Sequence, residues 1–326
     1  MKILALDADD VAAACPMRGC IEEMSRSFAL QAKGRIQSPS RTRVAAPAGD
    51  VLVMSSLVRR RRAEGSVKVV SVFPQNNRKR PSISATVLLV DGESGEAKAL
   101  LEGATLTAIR TGAVSGLSCR YLAREDSKTL GVVGAGGQAF QQINGVLSEL
   151  RGVREVKIFS RHQANSKALA RACERAFKVD ARAEDSVGAC VKGSDVLVTA
   201  TTSKTPVIDG RKVEEGTHVI AIGSYRPDAR ELDSLLVAGS AVFVDSRDAA
   251  LEEAGDLLIP MSQGLISKGS VRADLSELVT GSKKGRVSPF EVTIFKSVGL
   301  AFEDNAAGWL AYRGALRLKL GKWLEL

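Results

Sequence analysis

At 326 residues, with 44% hydrophobic and 25% charged residues, the chain has enough apolar material for one large or two ordinary domains, and two is the better expectation. That balance excludes a disordered polymer, and no apolar run approaches the length that crosses a bilayer, so no membrane partner is expected. The net charge of +9 admits nucleic acid, anionic substrates or a solvated basic surface, but aromatics make up only 4% of the chain. The densest basic run, Arg59-Arg60-Arg61-Arg62, lies between two apolar strands with no aromatic interleaved, so a solvated loop is expected there and no nucleic acid.

The N-terminal MKILALDADD offers one lysine and four apolar residues before acids arrive, too few for a signal-peptide core, and a cytoplasmic location is expected. From Asp7 to Lys33 the recurrence of Val11, Met17, Cys20, Ile21, Met24 and Phe28 predicts a helix. The period then changes. Segments near Arg41–Ala46, Asp50–Ser56, Ser66–Phe73, Ser84–Val90 and Ala97–Glu102 are short, apolar and bounded by Gly, Pro, Asn or Asp, which predicts strands, and LVDGESGEAKALL predicts a hairpin. One helix plus an antiparallel sheet is the expectation for this part.

Residues Ala104–Tyr121 are helical in pattern, and from Thr129 a strand–helix alternation begins. Its expected strands are Thr129–Val133, Glu155–Ser160, Asp195–Thr199, His218–Ile222 and Val242–Val244, which predicts a parallel sheet covered on both faces. The final stretch, TIFKSVGLAFEDNAAGWLAYRGALRLKLGKWLEL, reads as one long amphipathic helix returning to the first domain.

Cys15, Cys20, Cys119, Cys173 and Cys190 are scattered and show no C-x-x-C spacing, so buried thiols are expected rather than zinc ligands or disulfides. With only His162 and His218 present, a histidine triad or a metal site has almost no material, and no metal is expected. His218, opening a parallel strand, is expected to be structural. Asp91, Asp245 and Asp256 are expected as turn or capping residues.

In GVVGAGGQAF the positions Gly134, Gly136 and Ala139 form a G-x-G-x-x-A that follows a strand and opens a helix. Gly134 permits the tight turn, Gly136 lets backbone approach a pyrophosphate, and Ala139 lets helix and strand pack closely. The helix N-terminus would then face the phosphates. About 20 residues on, a cofactor with a free ribose 2′-hydroxyl meets an acid, whereas a 2′-phosphate needs a basic partner. That position is Ser160, followed by Arg161 and His162, so NADP(H) is expected, with NAD(H) as the alternative.

The chain also resembles, nearly end to end, the ornithine cyclodeaminase and mu-crystallin family. The matching words are SPSRTR, VKVVSVFPQN, SATVLLVDGESGEAKALLEGATLTAIRTGAVSG, GAGGQA, IGSYRPDARELD, VDSRDAALEEAGD and TIFKSVGLAFED. The resemblance implies an α/β fold class: a Rossmann doubly wound parallel sheet domain, residues 116–302, plus a second α+β substrate-binding and dimerisation domain from residues 1–115 and 303–326. It also implies a homodimer. By motif, Arg41 is similar to the residue that pairs with the substrate carboxylate, and Lys68 resembles the family's active-site lysine. Arg110 corresponds to an arginine near the cofactor phosphates and nicotinamide, with Thr86 and Thr111 beside it. Gly136, Gly137, Gln138 and Ala139 match the pyrophosphate loop, Thr199 to Thr201 a strand end beside the cofactor together with Ile222, and Ser297 a residue near the nicotinamide. From the residues alone, Lys68 is also readable as an edge-strand guard, and Arg41 and Arg43 as solvated side chains alternating along one strand.

One segment departs from the family pattern. Cyclodeaminases and archaeal alanine dehydrogenases carry a D-x-P-G-K whose aspartate is thought to act as acid or base when ammonia is expelled; here Tyr225 stands at the aspartate position and Ala229 at the lysine. SYRPDARELD instead resembles the mu-crystallin branch, which implies a reductase of 2-imino acids such as 1-pyrroline-2-carboxylate or 1-piperideine-2-carboxylate. An alanine-type 2-amino-acid dehydrogenase, an ornithine cyclodeaminase and a non-catalytic NADP-binding storage protein are the alternatives.

Overall fold

The computed structural model describes residues 2–73, 75–76 and 80–325; Pro74 of the VKVVSVFPQN motif lies outside them. The chain opens with β1 (Lys2–Leu6), α1 (Ala8–Ala14) and α2 (Met17–Ala32). One helix was expected over this stretch, but there are two. Asp7 caps α1 through a reciprocal capping box with Asp10, and Pro16, which has no N–H for the preceding turn, stops that helix and becomes the N-cap of α2. The helical-period residues Val11, Cys20, Ile21, Met24 and Phe28 are all buried.

Next come β2 (Ile36–Gln37), β3 (Thr42–Ala46), β4 (Gly49–Arg59), β5 (Ala63–Val72), β6 (Ile83–Asp91), β7 (Ala97–Glu102) and α3 (Gly103–Leu122). The alternation continues with β8 (Thr129–Val133), α4 (Ala139–Glu149), β9 (Glu155–Phe159), α5 (Gln163–Phe177), β10 (Asp180–Ala183), α6 (Val187–Val191), β11 (Val196–Thr199) and β12 (His218–Ala221). It closes with α7 (Ser234–Ala238), β13 (Ala241–Val244), α8 (Arg247–Glu253), α9 (Gly255–Ser262), β14 (Val271–Asp274), α10 (Leu275–Val279), β15 (Thr293–Lys296), α11 (Ala301–Leu318) and β16 (Lys322–Glu325). The chain divides into two compact units, residues 1–113 with 300–326, and residues 114–299.

The first unit holds a sheet in the order β16-β1-β7-β6-β5-β4-β2, with β3 also on β4. The sheet is mixed rather than antiparallel throughout, because β1 joins β7 in parallel, the long intervening chain supplying the crossover that a parallel pair requires. The hairpin expected in LVDGESGEAKALL is present as β6–β7, with Asp91 accepting from the Glu93 and Ser94 N–H groups in its turn. In the basic run, Arg60 is not solvated. It pairs with Glu23 (2.5 Å) and Glu64 (3.1 Å) and donates to Ser27, because Glu23 is buried on α2 and an unpaired buried carboxylate is costly.

The second unit is a sheet in the order β10-β9-β8-β11-β12-β15-β13-β14, parallel at every pairing. Every residue of β8, β11, β12, β13 and β15 is buried, as strands covered on both faces require. The strand order reverses between β8 and β11, which is where a doubly wound sheet opens a crevice at its carboxyl ends.

The last stretch is not one helix. TIFK is β15, buried between β12 and β13; Gly299, at φ +80°, interrupts the chain before α11; and KWLE is β16, antiparallel to β1. Four residues rich in β-branched and aromatic side chains gain two ladders in the sheet, which outweighs helical continuation. In the first unit α11 lies against β4, β5 and α2, with the Phe28 and Phe302 rings edge to face at 5.0 Å and Trp309 Nε1 donating to the Gly65 carbonyl. All five cysteines are buried and free. Among the described residues no helix is long and apolar enough to cross a membrane, and no group of His, Cys, Asp or Glu could hold a metal ion.

Candidate active site

In the first unit the chemistry gathers around Lys68. It lies in β5 between β4 and β6, opposite Met54 and Val87, so it is not an edge residue. The residue is 3% exposed and its Nζ stands 2.6 Å from Asp304 Oδ2 at the start of α11. Asp304 Oδ1 accepts from Arg110 Nε at 3.1 Å, and Arg110 also donates to Glu303 Oε2 at 2.6 Å. Two cations and two acids are thus buried together. Both acids sit in the first turn of α11, where the helix dipole favours negative charge.

Burial pushes the Lys68 ammonium down to about 8, the Arg110 and Arg41 charges push the same way, and Asp304 opposes them. For Asp304, burial works to raise the carboxyl, but the Arg110 and Lys68 charges prevail and hold it below its ordinary value. Arg41 is half-buried just ahead of β3, whose Thr42 faces Val53 next to the partner of Lys68. Arg43 is exposed and paired with Asp50. Thr111 Oγ1 is turned back onto the Thr107 carbonyl of α3. Thr86 faces Val69, one residue along from Lys68, and so occupies the opposite face of the sheet.

In the second unit Gly134 follows β8 at φ +113°, and a Cβ there would meet the Ala200 carbonyl oxygen at 2.4 Å, so only glycine fits. A Cβ at Gly136 or Gly137 would meet nothing within 4 Å, which leaves backbone open to an approaching group. Gln138 is the N-cap of α4 and makes no side-chain capping bond, while Ala139 is fully buried at the helix start. Ser160 is half-buried after β9 and Arg161 is exposed.

Thr199, Thr201 and Ile222 stand at the carboxyl ends of β11 and β12. Thr199 and Thr201 donate to the buried Glu231. Ser297 donates to Asp245 Oδ2 at 2.8 Å, an oxygen that also accepts from the Val298 and Gly299 N–H groups, so Asp245 holds the turn after β15. Asp256 pairs with Lys296 at 2.9 Å, both 0% exposed. His218 is buried between Thr293 and Ser118, and burial pushes it down to about 3, the behaviour of a structural imidazole.

Asp304, Glu303, Glu231, Asp256 and Lys296 were not picked out as partners from the sequence. One signal was present: Glu303-Asp304-Asn305 interrupts an otherwise apolar run, and a helix buried all round carries charges only where they have partners.

A doubly wound parallel sheet with an obligate glycine turn at its switch point, joined in one chain to an α+β unit with a buried, cation-flanked lysine, defines a two-unit enzyme of the Rossmann class. The chain belongs to the ornithine cyclodeaminase/mu-crystallin family, whose model matches residues 2–318. It is similar to a Delta(1)-pyrroline-2-carboxylate reductase of Bacillus cereus, 38% identical over 276 residues, 84% of each chain. Among solved structures it resembles the Delta(1)-pyrroline-2-carboxylate reductase of Thermococcus litoralis in complex with NADH and L-proline, with TM-score 0.94, 39% identity and coverage of 98% and 99% of the two chains. It also resembles an archaeal alanine dehydrogenase dimer with bound NAD, at TM-score 0.92 and 30% identity over the whole of both chains.

Proposed function

We propose that the protein reduces the C=N bond of a cyclic 2-imino acid, 1-pyrroline-2-carboxylate or 1-piperideine-2-carboxylate, to L-proline or L-pipecolate. The observation that carries this is the Lys68 ammonium, brought down to about 8 by burial between Arg110, Arg41 and Asp304. Such a group is protonated at neutral pH yet able to give up its proton, which a carbonyl-derived imine needs at nitrogen before carbon accepts hydride. The likeness to pyrroline-2-carboxylate reductases supports the same reading.

The second unit is the dinucleotide domain in this reading. Gly134 sets the turn, Gly136 and Gly137 leave room for a pyrophosphate, and the α4 N-terminus with Gln138 and Ala139 faces it. A reduced nicotinamide dinucleotide, when bound, supplies the hydride. Thr199, Thr201, Ile222 and Ser297 form the strand-end surface beside it. Ser160 and Arg161 favour a 2′-phosphate and hence NADP(H), whereas the Thermococcus litoralis relative holds NADH; NAD(H) is the competing cofactor.

The first unit is the substrate domain. Arg41 holds the imino-acid carboxylate by its guanidinium fork, and Lys68 Nζ gives a proton to the ring nitrogen as the carbon is reduced. Asp304 keeps Lys68 oriented, and solvent restores its proton. Tyr225, in place of an acid, leaves no carboxylate at that position for the expulsion of ammonia, which sets this chain apart from a cyclodeaminase. The exposed Val44, Val69 and Leu100 give that unit's sheet an apolar face, on which a second copy makes the homodimer.

A steady-state assay tests the reading: NADPH and NADH, each against both cyclic imines and against pyruvate with ammonia. Turnover of the imines with formation of L-proline or L-pipecolate is expected. Turnover confined to pyruvate plus ammonia would instead assign an alanine-type dehydrogenase, a reading that the likeness to the archaeal enzyme supports.

A further inference from the structure

At the carboxyl ends of β11 and β12 a single buried carboxylate takes four hydrogen bonds. Glu231 is 0% exposed; its Oε1 accepts from Thr201 N (2.7 Å) and Thr201 Oγ1 (2.8 Å), and its Oε2 from Thr199 Oγ1 (2.9 Å) and Gly223 N (2.7 Å). It occupies the place where a side chain at 223 would be, since a Cβ on Gly223 would stand 2.5 Å from Glu231 Oε1 and 2.2 Å from the Thr201 carbonyl oxygen. The acid is itself fixed from behind. Its N–H and that of Leu232 donate to Asp256 Oδ1, Asp256 Oδ2 pairs with Lys296, and Lys296 Nζ donates to the Ser224 carbonyl.

All of these groups lie in the dinucleotide unit, and none is needed to close the strands, whose ladders end at Thr199 and Ala221. What the carboxylate organises is the irregular chain just beyond them, at the edge where a doubly wound sheet receives its ligand. We propose that Glu231 is a positioning residue for the dinucleotide: by accepting from Thr199, Thr201 and Gly223 it fixes the two strand-end loops on which the nicotinamide half is held. This rests on the proposed reading for the presence of a dinucleotide and adds which buried group sets its seat.

Both oxygens are filled by donors, two of them backbone N–H groups that cannot accept, so a glutamine amide would turn its NH₂ toward an N–H or a hydroxyl on one side. The test is direct titration of the purified protein with NADPH and NADH, followed by nicotinamide fluorescence, for wild type, Glu231→Gln and the pair Thr199→Val and Thr199→Ser. Glu231→Gln should weaken dinucleotide binding roughly tenfold or more, the loss expected when a hydrogen bond to a charged acceptor is broken, with the KM for the imino acid little changed. Thr199→Val should shift binding the same way and Thr199→Ser should restore it, which decides the matter alone if Glu231→Gln does not fold. Wild-type affinity in both Glu231→Gln and Thr199→Val overturns the proposal, as does an equal rise in the imino-acid KM. Wild-type protein that binds a dinucleotide but turns over no imine refutes the reaction while leaving this role standing, and one that binds neither dinucleotide refutes both.

Discussion

Asp304→Asn is the substitution that isolates the charge held against Lys68. The change is nearly isosteric, leaves no cavity, and leaves Arg110 its bond to Glu303. It removes a negative charge 2.6 Å from an ammonium whose ionisation is already brought down to about 8. An opposite charge at such range shifts a titration by about 1–3 units, each worth 1.36 kcal/mol, so the variant Lys68 should lose its proton between roughly pH 5 and 7. The assay is kcat/KM for the cyclic imine across the pH range. Wild-type activity should fall as pH rises past about 8, and the variant's alkaline limb should move down by the same 1–3 units, with activity recovering toward acid. The imine nitrogen titrates too, but its ionisation in solution is the same for both proteins, so only the displacement counts. An alkaline limb that stays in place, or a loss of rate uniform in pH, would refute Lys68 as the proton donor.

Lys296→Met should leave Asp256 buried with only two N–H partners, costing about 3–5 kcal/mol, and the melting temperature should fall by roughly 6–20 °C. His218 predicts acid sensitivity: its folded value of about 3 lies below the ordinary 6.5, so the unfolded chain takes up the proton first as pH falls. The stability that depends on a neutral His218 is whole above 6.5 and is lost progressively toward 3, about 5 kcal/mol in all; urea midpoints across that window should flatten in His218→Gln. Ser160→Asp with Arg161→Ala should shift cofactor choice toward NADH, raising the KM for NADPH by about tenfold or more relative to NADH, since an acid at that strand end repels a 2′-phosphate and accepts from a 2′-hydroxyl.

Periodicity served where one force dominated. Leu130, Val132 and Val133 of β8 and the alternation after it pointed to a sheet covered on both faces, and the glycine turn is legible because a positive φ and a close approach to Ala200 leave no other residue type. The misreadings came from competition. Pro16 overrode a helical pattern that runs on both sides of it, and TIFK carried the helix period of its neighbours while gaining more from two ladders in the sheet. The site was half legible. Lys68 and Arg110 announce themselves as cations among apolar residues, but nothing local says which acids hold them, since Arg110 and Asp304 are 194 residues apart. The Glu231 carboxylate was hidden for a related reason: its meaning lies in backbone N–H groups of other loops, which no side-chain pattern records.

The return of α11 to the first unit has a consequence for the order in which the molecule can be made. Ribosomes deliver about 5–20 residues per second, so the chain between Lys68 and Asp304, which includes the whole second unit, separates their emergence by roughly 12–47 s. During that interval the strand bearing Lys68 exists without the acid that compensates its burial, and β1 lacks β16 along its edge. The nascent sheet must therefore stay open and hydrated at its centre until the last helix arrives, and an early stop after the dinucleotide unit should yield a soluble second unit attached to an unfolded first.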